Sequence, residues 1–70
     1  MSPRQKQALL TWLNGVIQYV RRDGFVLDVS PLDERQLRVK MDGKDGGSAE
    51  VRITTEGEVF SLATGEKVTL

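Results

Sequence analysis

The residues able to do chemistry in this chain are carboxylates, Lys, Arg, one Tyr and hydroxyls, because its 70 residues include no Cys and no His. Without thiol or imidazole there is no thiolate nucleophile, no redox pair, no Ser-His-Asp relay and no Cys or His ligand for zinc. Acid–base work by paired carboxylates needs a concave, partly desolvated site. The available pairs do not promise one. Asp33-Glu34 and Asp42/Asp45 fall in turn sequence, while Asp28 and Glu50 fall on strand faces beside basic residues. A domain this small is also expected to offer little room for a pocket of several hundred cubic ångströms. The Gly-rich segment Asp42-Gly43-Lys44-Asp45-Gly46-Gly47-Ser48 lacks the acidic spacing and late Glu of a calcium loop, and the G-K-[ST] ending of a phosphate loop. No catalytic residue, no metal and no cofactor is expected.

Arginines carry the remaining polar signal. Ten basic residues balance ten acidic ones, but residues 1–23 hold Arg4, Lys6, Arg21 and Arg22 against Asp23 alone. Arg21 and Arg22 suit a helix C-terminus; Arg22 is also a candidate anion contact. Arg38 and Arg52 are expected to face each other across two strands, an unfavourable pairing unless Asp28 or an external anion relieves it.

The elements that position these groups follow from periodicity. Ser2 as N-cap, Pro3 at the first helical position and Gln5 closing a capping box begin a helix over about 3–22. Asp23-Gly24 stops it. At 100° per residue, Ala8, Trp12, Tyr19, Val16, Leu9, Val20, Leu13, Ile17 and Leu10 fill an apolar arc of about 200°, wider than the stripe one sheet requires. The surplus lies at two margins, Ala8/Trp12/Tyr19 and Leu10/Ile17. The stripe Gln7, Thr11, Asn14 and Gln18 opposite is neutral.

From Gly24 onward the period is two. Strands are expected over about 25–30, 35–41, 49–54, 58–62 and 67–70. Pairing Val29 with Leu37 would set Asp28 opposite Arg38, pairing Met41 with Ala49 sets Arg38 opposite Arg52, and a two-residue Glu56-Gly57 turn would set Ile53 opposite Phe60, both inward. The reading is one domain over 1–70 of α+β class: an N-terminal helix packed on a four- to five-stranded antiparallel meander sheet, two layers.

A short chain without disulfides has a limited core, so a partner that covers apolar surface is a natural expectation. Function is read as a small non-enzymatic protein-binding module, a homodimer subunit, adaptor or inhibitor. Trp12 and Tyr19 would be the apolar anchors and Arg22, Arg38 and Arg52 the anion-seeking neighbours, because aromatics and Arg are enriched in binding hot spots. The end Lys67-Val68-Thr69-Leu70 is a candidate open edge for strand addition.

The alternative is non-sequence-specific nucleic-acid binding through the basic helix. It is less favoured, since no aromatic is expected on the outer sheet face and net charge is zero. No run of about twenty apolar residues exists, and Met1-Ser2-Pro3-Arg4-Gln5 lacks a signal-peptide core. The expectation is a cytoplasmic protein with no membrane partner, of a size that suits a bacterial or phage accessory protein.

Overall fold

The structure, a computed structural model, describes residues 1–20, 24–44 and 47–70, the side chains of Tyr19 and Val20 aside. It contains α1 (Pro3–Val20), β1 (Phe25–Pro31), β2 (Leu37–Gly43), β3 (Ser48–Ile53) and β4 (Val59–Ser61). The four strands form one antiparallel sheet in the order β1-β2-β3-β4. With α1 packed on one face, this is the α+β, two-layer arrangement the periodicity implies. The expected fifth strand is reduced to a short pairing: Phe60 bridges Lys67, and the Val68 amide donates to the Val59 carbonyl at 2.8 Å.

The helix start forms as its sequence requires. Ser2 Oγ accepts from the Gln5 amide at 3.0 Å, and Gln5 Oε1 accepts from the Ser2 amide at 2.8 Å, so two otherwise orphaned donors are satisfied. Both residues also fasten the helix to the sheet. Ser2 Oγ donates to the Thr55 carbonyl at 2.9 Å. Gln5 Nε2 donates to the carbonyls of Arg35 (2.9 Å) and Ile53 (3.3 Å). Gln5 is buried, and these bonds offset the cost of removing its amide from water. The expected stop at Asp23 and the placement of Arg21 and Arg22 lie outside the described residues. Gly24, at φ 76°, takes the left-handed conformation expected of it.

The core is Ala8 and Trp12 from α1 against Val39, Met41, Val51, Ile53 and Val59. Two strand registers differ from the expected ones. Val29 pairs with Val39 rather than Leu37, so Asp28 faces Lys40 and Ser30 faces Arg38. The Asp33 side chain folds the connection tightly, Oδ1 accepting from the amides of Arg35 (2.7 Å) and Gln36 (2.9 Å), while the Leu32 amide donates to the Gln36 carbonyl at 2.9 Å. That closes the loop in five residues and lets the ladder run on to Pro31 and Leu37.

The second difference flips a side chain. Ile53 pairs with Val59, and Arg52 with Phe60. Thr54 and Glu58 close a three-residue loop: the Thr54 amide donates to the Glu58 carbonyl (2.9 Å), the Gly57 amide to the Thr54 carbonyl (3.0 Å), and Gly57 sits at φ 87°. This is a turn followed by a left-handed bulge residue. One residue more than a two-residue turn exchanges the faces. Val59 goes inward and Phe60 outward.

Candidate functional site

On the outer sheet face, Arg38 stands opposite Arg52, as expected. The structure supplies the relief internally and not through Asp28. The Arg38 guanidinium pairs with Glu50. Arg52 Nη1 donates to Gln36 Oε1 at 2.6 Å, and its guanidinium lies over the Phe60 ring, 4.1 Å from the centroid. Gln36 Nε2 donates in turn to Asp33 Oδ2 at 2.9 Å. The Asp33 carboxyl is held below its ordinary range, foremost by the Arg35 amide and then by the Gln36 side chain. Glu56 is also lowered, by its own amide and the Thr55 hydroxyl. Neither Arg needs an external anion to offset its neighbour. Phe60 does place one aromatic on a face expected to have none, but Arg52 covers that ring.

Space between α1 and the sheet is larger than expected. An open groove of about 440 Å³ lies between Trp12, Gly15 and Val16 on the helix and Val68, Thr69 and Leu70. No ionisable side chain lines it. A second of about 410 Å³ follows β3 and reaches Glu50, the carboxylate already paired with Arg38. Among the described residues no three carboxylates gather where they could hold a metal ion. Among the described residues no helix is long and apolar enough to cross a membrane.

Of the expected anchors, Trp12 is in the core at 5% exposure, its edges forming walls of both grooves. The Ala8/Trp12 part of its margin is therefore covered, and Trp12 is a core residue rather than the exposed anchor expected of it. The cause is the C-terminal segment: pairing with β4 brings Val68 against the core on that side. The Tyr19 side chain and Arg22 lie outside the described residues. Of the basic helix residues, Arg4 and Lys6 are exposed and Arg21 is likewise outside them. Gln7, Thr11 and Asn14 of the neutral stripe are exposed, Thr11 Oγ1 donating back to the Gln7 carbonyl at 3.0 Å.

The other margin is the open one. Leu10 and Ile17 are 47% and 36% exposed. Arg4, Gln7 and Thr11 share a groove with Gly57 and Leu70, so by helical geometry Leu10 and Ile17 turn toward β1. There the helix no longer covers the sheet. Val39 on β2 is 0% exposed, while its register partner Val29, on the same face of β1, is 39% exposed. Leu32, just past β1, is exposed too.

Comparison with known proteins finds no matching family, no matching curated protein and no matching solved structure. The flank between α1 and β1 is the most open apolar side of the helix. Its signal in the sequence was the Leu10/Ile17 surplus together with Phe25-Val26-Leu27-Asp28-Val29, a strand with no Lys or Arg to guard it.

Proposed function

We propose that the chain is a non-catalytic protein-binding module whose contact surface is the flank formed by α1 and β1. The observation that carries this is the apolar exposure on that side: Leu10 and Ile17 on the helix margin and Val29 on the edge strand all stand open. Contiguous apolar surface on a small domain marks an interaction site more often than scattered exposed residues do. The absence of Cys and His supports the non-catalytic half of the reading, as does an open groove lined without ionisable side chains. Arg38 and Arg52 are tied to their own neighbours and contribute to the outer face rather than to this flank.

The test is a pull-down from the native host with wild type and Leu10→Ser/Ile17→Ser as matched baits. Both positions are exposed, so the fold is expected to persist, checked by circular dichroism. Wild type should retain at least one protein, a foreign chain or the chain itself, that the variant loses. Identical sets on the two baits would overturn the flank as the binding surface.

A further inference from the structure

The occupant of this flank can be argued from the hydrogen-bond parity of β1. The Lys44 amide donates to the Gly24 carbonyl at 3.5 Å, which makes Gly24/Lys44 a hydrogen-bonded pair. By the alternation of an antiparallel ladder, Val26, Asp28 and Ser30 also aim their backbone groups at β2. The Gly43 amide, donating to the Gly47 carbonyl at 2.6 Å, fixes the same alternation from the far side of β2. Phe25, Leu27 and Val29 therefore present their amides and carbonyls outward. Among the described residues no strand meets them. Pro31, at the strand end, has no amide to offer.

We propose that β1 pairs with β1 of a second copy of this chain, antiparallel about a two-fold axis at Leu27. The inference rests on the reading of this flank as a protein-binding surface. In that register Leu27 faces Leu27 of the other copy and Phe25 faces Val29, so all three outward amides on each strand find carbonyls. The inward face of the seam is then wholly apolar. On the outer face Val26 meets Asp28. A register centred one residue later is poorer: it sets Asp28 against Asp28, unfavourable for like charges, and Phe25 against Pro31, which cannot donate.

The two sheets become one of eight strands, with both helices on the same side. The Leu10/Ile17 margins form the two walls of a trough floored by the paired strands. A foreign strand could pair with the edge, but it brings no second helix to build the opposite wall.

Area agrees with this. A compact monomer of this mass has a surface of ~4,400 Å², whereas this chain exposes 4835 Å². The surplus is about half of the ~800 Å² that a stable dimer conceals on each partner. At the opposite edge of the sheet the pairing is short, and Glu66 and Lys67 guard it with charge.

The test uses the full chain. Light scattering should give about twice 7.8 kDa for wild type. Val29→Pro removes an amide that the isolated subunit does not use, at an edge position where Pro is tolerated, and should bring the mass down to one chain with the circular dichroism preserved. Because the chain has no Cys, Val26→Cys/Asp28→Cys gives an independent readout. Mild oxidation should join two chains covalently, whereas Val26→Cys alone should join few.

If Val29→Pro fails to fold, the cross-link still decides. A dimer that survives Val29→Pro and does not cross-link overturns the seam. A wild-type monomer at hundreds of micromolar overturns the dimer. The flank would still stand if the matched baits of the pull-down differ, and it falls with the dimer if they do not.

Discussion

Along the flank of α1 that faces β4, the C-terminal segment folds back, pairs with β4 and carries Val68 against the core. Along the flank that faces β1, the sheet ends at a strand whose inward side chains lose cover toward the edge, from Val39 at 0% exposure to Val29 at 39%. The same helix and sheet are thus partly covered on one side, where a groove remains beside Leu70, and uncovered on the other. The difference comes from chain connectivity rather than from composition. Both helix margins are apolar in sequence, but only one has a trailing segment to lie beside it.

The largest effect should come from Trp12. Truncating a buried Trp costs about 3–5 kcal/mol, and a disulfide-free chain of this size rarely has more than about 3–5 kcal/mol in total. Trp12→Ala is expected to be largely unfolded at 25 °C. Leu10→Ala, on the open flank, should cost only about 1 kcal/mol at low protein concentration, since about half of its area stays in water in the single subunit. Urea unfolding followed by far-ultraviolet circular dichroism measures both. Equal losses would erase the distinction between the flanks.

Next come two glycines on the closed flank, with opposite signs. Gly57 sits at φ 87°, and a Cβ there would lie 3.0 Å from the Arg4 carbonyl oxygen. Gly57→Ala should cost about 2 kcal/mol, from the left-handed backbone and the contact together. Gly15 is helical with nothing within 4 Å of an added Cβ, so Gly15→Ala should stabilise by roughly 0.5–1 kcal/mol. If both variants moved in the same direction in thermal or urea unfolding, the local account of this flank would be wrong.

How far these features were legible before the structure depends on what each one needs. The capping box at Ser2 and Gln5 and the Arg38/Arg52 pairing are set by near neighbours and strand alternation, and both were readable. Gln5 as a buried tether was not, because its bonds to Arg35 and Ile53 depend on where the sheet lies. The outward face of Phe60 is not legible in the pattern, because Val59 and Phe60 are both apolar and alternation alone leaves the parity open. Turn length decides it, and Thr54-Thr55-Glu56-Gly57 carries its Gly where a three-residue loop needs a left-handed residue. Trp12 and Leu10 are equally apolar in sequence. Their separation into core and surface follows from the path of residues 66–70, which no helical periodicity contains.

The smallest effect lies at the loop beside the open flank and is visible only through pH. Asp33 accepts the amides of Arg35 and Gln36 and the Gln36 side chain, so its carboxyl ionises below the ordinary aspartate value of 3.8 in the folded chain. A carboxyl that is more acidic when folded stabilises the fold at pH values above its unfolded pKa, and that contribution is lost as pH falls through the folded one. Asparagine keeps one acceptor oxygen for the turn but carries no charge. The stability gap between wild type and Asp33→Asn should therefore be constant near neutrality and shrink below pH 3.8. Unfolding curves for the two proteins, compared at matched pH, isolate this carboxyl from the others. A gap that stays constant from about pH 6 to about pH 2.5 would mean that the loop is held by shape alone.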